Sequence, residues 1–186
     1  MELYAKESTE YDGVLQDEVV YYLKLDAKKG VVLPVGSTGA TGRNIDWTFQ
    51  MWLKLEIGAL ERAERMYLFS IQDGMSCFFT KTRMFMCDSN FAFKRIQVDT
   101  NEIEQGKWIY LTVSGTATGQ AYVQFSTHKE QLVFKLVDAF FFRQSRSSKW
   151  RACLGECNDN GLGFIGGIRE FSFQHKFTRP QSARVN

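Results

Sequence analysis

Proline is nearly missing from this chain: Pro34 and Pro180 are the two in 186 residues. So few prolines, in a chain this apolar, argue against a disordered segment. Histidine is equally sparse, with His128 and His175 alone. A Ser/His or Cys/His nucleophilic site would have to be built on one of them, and both stand in polar surroundings without a partner motif. No apolar run reaches the 18 residues that a membrane-spanning helix needs. The opening MELYAKESTEYDG lacks the basic-then-apolar layout of a signal peptide, so the chain reads as cytosolic or as a mature or excised fragment. Charge of one sign is lacking too. With 23 Lys and Arg against 21 Asp and Glu, the net charge of +2 supplies no global field to gather phosphates, and nucleic acid is excluded as an expected partner. The glycine-rich stretch Gly36–Arg43 has no following Gly-Lys-Ser/Thr and opens no helical pattern, which makes it a loop rather than a phosphate cradle.

What is present is apolar and aromatic. Hydrophobic residues make up 44% of the chain and aromatics 15%, with sixteen Phe, which is too apolar for disorder. The length fits one domain over residues 1–186, with a core from about 11 to 178 between polar tails. Period-two alternation is the main signal. Asp46–Glu56, DWTFQMWLKLE, puts Trp47, Phe49, Met51, Leu53 and Leu55 on one face and Thr48, Gln50, Trp52 and Lys54 on the other. Trp52, on the polar face, reads as covered rather than as an open stacking platform, because its apolar area is too large to leave in water. GKWIYLTVSGTATG, Gly106–Gly119, alternates Trp108, Tyr110 and Thr112 against Ile109, Leu111 and Val113, reverses at Ser114–Gly119, and resumes alternation at Gln120–Phe125. Further strands are expected at Val19–Leu25 and Val31–Val35 around a turn, at Met66–Ile71, in a hairpin over Ser76–Asp88, at Phe91–Val98 and at Leu132–Val137. Ile57–Arg65 fits a short helical turn or an insertion loop, and Thr178–Asn186 a fraying tail.

Four cysteines fall into two local pairs. Cys77 and Cys87 lie symmetrically about Thr82 in a predicted hairpin, and Cys153 and Cys157 could close a tight loop. Two disulfides in an oxidising compartment stand against four buried or free thiols, while CxxxC without a second close pair or nearby His makes a poor zinc site.

The GKW-opened hairpin, the "LFSI" in Tyr67–Ile71, the Trp47-x4-Trp52 strand and Phe164-Ile165-Gly166-Gly167-Ile168-Arg169-Glu170 occur in the order found in laminin-G-like domains, and the chain resembles that family. The resemblance implies an all-β, antiparallel two-sheet sandwich, a concanavalin A-like jelly roll of the pentraxin kind. Val19–Leu25 and Val31–Val35 resemble the family's entry hairpin, and Arg169 departs from an aspartate in the family's terminal signature. The function implied is non-enzymatic recognition of a glycan or protein ligand by an excised domain of an extracellular or cell-surface protein. The alternative is a structural domain that contacts neighbouring chains and binds no small ligand. A glycoside hydrolase is the third reading; the E-x-D-x-x-E strand of jelly-roll glucanases is missing, and the nearest acids, Glu102 and Glu104, lie in a predicted loop.

Two stretches offer ligand chemistry. Arg143, Arg146, Lys149 and Arg151 surround Trp150, and cation-rich loops are how some laminin-G-like domains grip sulfated glycans; a solvated loop with Trp150 folded onto the core is the simpler reading. Asn158, Asp159 and Asn160 carry oxygen donors suited to calcium, which many family members bind at the rim, but the same residues make tight turns. No other cofactor is expected.

Overall fold

The alternation in Trp47–Leu55 is realised as strand β4, whose inward residues Trp47, Phe49, Met51, Leu53 and Leu55 are all buried. This computed structural model describes residues 4–11, 14–27, 30–35, 44–71, 74–90, 92, 94–128, 130–143, 150–155 and 162–180. Over those residues the strands are β1 (Tyr4–Tyr11), β2 (Val14–Asp26), β3 (Val31–Val35), β4, β5 (Arg65–Ile71), β6 (Met75–Thr80), β7 (Met84–Ser89), β8 (Ile96–Asp99), β9 (Trp108–Gly115), β10 (Ala121–Ser126), β11 (Gln131–Val137), β12 (Trp150–Leu154), β13 (Leu162–Gly163) and β14 (Ile165–Gln174). The predicted turn after Ile57 is a single 3-10 turn, Leu60–Arg62.

Two sheets form. Sheet A runs β1-β2-β14-β4-β9-β10-β11, and sheet B runs β3-β12-β5-β6-β7-β8, with β13 a short parallel addition to β5. Every other pairing is antiparallel among the described residues. Aromatic rings join the sheets: Phe49 of β4 stacks on Phe69 of β5 at 4.5 Å, and Phe125 of β10 meets Phe85 of β7 edge-on at 5.2 Å. Each such Phe contributes about 1.5–3 kcal/mol by burial, with about 0.5–1.5 kcal/mol more per well-placed ring pair. The result is an all-β antiparallel sandwich.

Several expectations are corrected. Val19–Leu25 and Val31–Val35 are strands but not a hairpin: β2 lies in sheet A and β3 in sheet B, so the chain crosses between layers after Asp26. Local alternation reports a strand; it does not report which sheet the strand joins. The opening residues form β1, paired to β2, where a polar tail was expected. The strand expected over Phe91–Val98 is Ile96–Asp99, and positions 91 and 93 lie outside the described residues, as does the loop 36–43.

The expected fraying tail is tied down where it is described. Residues 175–180 cross the outer face of sheet A: the Thr48 hydroxyl donates to the Lys176 carbonyl at 2.7 Å, and the Thr178 N–H donates to Thr48 Oγ1 and Ser114 Oγ at 3.0 and 3.1 Å. Tyr122 donates its hydroxyl to the Thr178 carbonyl at 2.6 Å, and Phe177 meets its ring. One end of that face is therefore covered by the chain itself.

Candidate ligand-binding site

Beyond this strap, strand register assembles a second surface on the same outer face. Lys24 of β2, Gly167 of β14, Lys54 of β4 and Trp108 of β9 are directly opposed in sequence across the sheet. The next outward row holds Arg169, Trp52, Tyr110 and Ser126, with Tyr22 beyond Arg169. Directly opposed residues share a face, so both rows look away from the core.

The rows interlock as alternating rings and cations. Gly167 leaves the space: a Cβ there would lie 2.7 Å from Tyr22 and 2.8 Å from Trp108, and without it those rings meet edge to face at 5.3 Å. Lys54 Nζ sits 5.3 Å from the Tyr22 ring and 5.4 Å from the Trp108 ring. The Arg169 guanidinium lies 4.9 Å from Trp108 and 5.1 Å from Trp52. His128 then packs on Trp52 at 4.4 Å, and Tyr110 at 5.1 Å. A contact of cation to ring contributes about 0.5–2 kcal/mol, more as water is excluded. Trp52 is 9% exposed, so the covered reading holds and its ring is no open platform. The Trp108 indole N–H is buried with no hydrogen-bond acceptor among the described residues.

A bulge between Arg169 and Ser172 presents Glu170 beside this surface, with Glu170 at φ 53° and exposed. Burial raises the Tyr110 hydroxyl pKa, and the Glu170 carboxylate adds to the rise. Burial beneath the strap pushes Tyr122 up to about 12. His128 moves the other way: burial lowers its pKa, Arg169 lowers it further, and Glu170 opposes both. A histidine lowered on folding is stable as the neutral base, so its contribution is full above the unfolded value of about 6.5 and is lost as pH falls through the folded pKa. We expect the His128 ring resonances to titrate with a midpoint below about 6.5, and Arg169→Gln to move that midpoint upward; a midpoint that ignores Arg169→Gln would contradict the packing described.

Of the sites read from sequence, only some residues lie among those described. Arg143 is half-buried and bridges to Asn44, its Nε 3.4 Å from Asn44 Oδ1. Arg151 is exposed on β12, and Trp150 opens the same strand opposite Val35. Arg146 and Lys149 lie outside the described residues, as do Asn158, Asp159, Asn160 and Cys157. Cys77 and Cys87 are bonded, directly opposite on β6 and β7, and Cys153 is disulfide-bonded too. No group of three or more His, Cys, Asp or Glu among the described residues could hold a metal. Glu102 and Glu104 lie in the exposed β8–β9 loop, where Glu104 pairs with Lys107 at 2.6 Å. A concavity of about 920 Å³ opens elsewhere, between the edge strands β8 and β11, with Arg95, Asp99, Glu102, Val133, Phe134 and Lys135 among its lining.

With both surfaces described, the chain can be set beside known proteins. No protein-family profile matches it, and no curated protein matches it in sequence. Solved structures do. The CBM40 of the Ruminococcus gnavus IT-sialidase, bound to alpha2,3 sialyllactose, matches over 82% of this chain and 92% of its own, with TM-score 0.52 and 12% identity. The fold is a concanavalin A-like jelly roll. The receptor binding domain of botulinum neurotoxin D matches this jelly roll over 95% of the chain, with TM-score 0.56 and 10% identity. Bacteriophage CBA120 tailspike protein 2, in its enzymatically active domain, matches over 86% with TM-score 0.55 and 11% identity. This jelly roll spans 45% of the toxin structure and 26% of the tailspike structure. At such identities the likeness is one of fold.

Proposed function

We propose that this chain is a non-catalytic recognition module, laminin-G-like in kind, that binds an acidic glycan on the outer face of sheet A. The observation that carries the reading is the convergence of Lys24, Lys54 and Arg169 among Tyr22, Trp52, Trp108 and Tyr110, on two adjacent rows of one face. Cations held against rings are oriented before a ligand arrives, and pre-organised charge loses less entropy on binding. Lys24 is exposed and offers the most accessible ammonium. A carboxylate or sulfate entering between the cations would bring an acceptor towards the Trp108 N–H. The CBM40 structure bound to alpha2,3 sialyllactose supports this class of ligand on such a fold, and the bonded cysteines suit an extracellular compartment.

The test sets 3′-sialyllactose and sulfated oligosaccharides against lactose, which lacks the anion. Binding of the acidic sugars alone is expected, weakening as salt screens the cations. Lys24→Ala and Lys54→Gln should each weaken it by roughly tenfold, the scale of one charge-assisted contact. Equal binding of lactose, or silence towards every acidic sugar, would sink the proposal. If Arg143→Ala, Arg146→Ala and Lys149→Ala abolish binding while Lys24→Ala does not, the ligand sits at the basic loop instead. Calcium at Asn158, Asp159 and Asn160 is a separate proposal, checked by whether a chelator lowers the melting midpoint.

A further inference from the structure

Thr112 is 6% exposed, and its hydroxyl makes no hydrogen bond among the described residues, whereas the other buried polar side chains there, Thr48, Thr100 and Ser114, all do. A buried hydroxyl without a partner is rare in a folded protein and calls for a reason. Thr112 stands on the outer face of sheet A between Gln50 of β4 and Gln124 of β10, and register continues this row to Ser172 of β14 and Phe134 of β11. Gln50 is half-buried and its amide makes no hydrogen bond among the described residues either. Phe134 keeps 37% of its surface exposed. No side chain in the row is charged.

This row is the floor of a trough. On one side, residues 175–180 cross the face over Thr48, Ser114 and Tyr122. On the other stands the Trp52 ring with His128 packed on it at 4.4 Å. Thr48 and Trp52 are four positions apart on β4, so the two walls are centred about 13 Å apart, which admits a single file of sugar rings. Crossing from β14 to β11, the floor is about 19 Å long.

We propose that the trough holds the neutral sugars of the acidic glycan, so that the ligand is an oligosaccharide chain rather than one acidic sugar. The inference deepens the acidic-glycan reading and rests on it. The two regions meet at the β14 bulge, where Arg169 belongs to the cationic rows and Ser172 opens the trough. A chain anchored by its anion at Lys24, Lys54 and Arg169 passes the exposed Glu170 carboxylate there, an acceptor for sugar hydroxyls, and then runs over Gln50, Thr112 and Gln124 towards Phe134. The floor suits hydroxyls. The Gln50 amide donates and accepts at once, which matches two neighbouring sugar hydroxyls, and the Thr112 hydroxyl gains the partner that the fold withholds. Without the anchor, the few neutral contacts leave lactose weak.

Calorimetric titration with the methyl glycoside of sialic acid, 3′-sialyllactose and an α2,3-sialylated pentasaccharide tests this. The dissociation constant should fall with chain length, by roughly tenfold or more across the series, the scale of a few added hydrogen bonds. Thr112→Val keeps the shape of the side chain and removes its hydroxyl. That variant and Gln50→Ala should each weaken the pentasaccharide by roughly fivefold and leave the methyl glycoside and the melting midpoint unchanged, while Lys54→Gln weakens every ligand. Affinity independent of length, with Lys54→Gln still weakening binding, overturns the trough and leaves the acidic-glycan reading standing. A Thr112→Val loss as large for the methyl glycoside as for the pentasaccharide overturns the trough as well, since the hydroxyl would then act at the acid end. Silence towards every ligand overturns both.

Discussion

Alanine at Gly166 is expected to lower the stability of the protein by more than about 3 kcal/mol, moving the melting midpoint down by roughly 6–12 °C. Gly166 lies in the middle of sheet A, paired to Leu25 of β2 on one side and Leu55 of β4 on the other. Its φ is +148°, a region closed to residues with a Cβ, and a Cβ built there would lie 2.0 Å from the Lys54 carbonyl oxygen. That neighbour is backbone. It cannot swing aside without breaking the β14–β4 ladder that brings Arg169 to Trp52. Gly167→Ala offers the contrast, because its close contacts are the Tyr22 and Trp108 side chains. It should cost less stability and disturb the outer face more. A Gly166→Ala protein that melts with the wild type would mean that β14 does not sit between β2 and β4.

Removing the Cys77–Cys87 bond is expected to cost roughly 2.5–3 kcal/mol, the loop entropy restored to the unfolded chain when a link across ten positions is cut. Cys77 and Cys87 are completely buried in the core of sheet B. The double Cys77→Ala, Cys87→Ala variant should therefore fold, with denaturant midpoint lowered and m-value little changed. Equal midpoints for variant and wild type would show that the link adds nothing beyond the β6–β7 pairing.

The sequence carried the core strands because burial on one face writes itself as period two. Trp47–Leu55 and Trp108–Val113 are readable for that reason, and the symmetric placement of Cys77 and Cys87 about Thr82 is that of two residues opposed across a hairpin, as they are on β6 and β7. Sheet membership was not readable. β2 and β3 are close in sequence, yet their partners β14 and β12 lie more than a hundred residues away, and no local pattern encodes that choice. The candidate face was hidden for the same reason: Tyr22, Lys24, Trp52, Lys54, Trp108 and Arg169 come from four strands and meet only through register. Two hints were present. Trp108 and Tyr110 alternate outward beside Thr112, and Arg169 stands where the resemblance leads one to expect aspartate. Both point to aromatic and cationic chemistry on the outward side.

The most direct test of acidic-glycan recognition follows the backbone amides and the four tryptophan indole N–H resonances while 3′-sialyllactose is added. Saturable shifts at the Trp108 and Trp52 indoles and at the Lys24, Lys54 and Arg169 amides, absent with lactose and lost in Lys54→Gln, are the predicted result. Shifts confined to residues around Trp150, or no shift at the Trp108 indole at saturation, would contradict it.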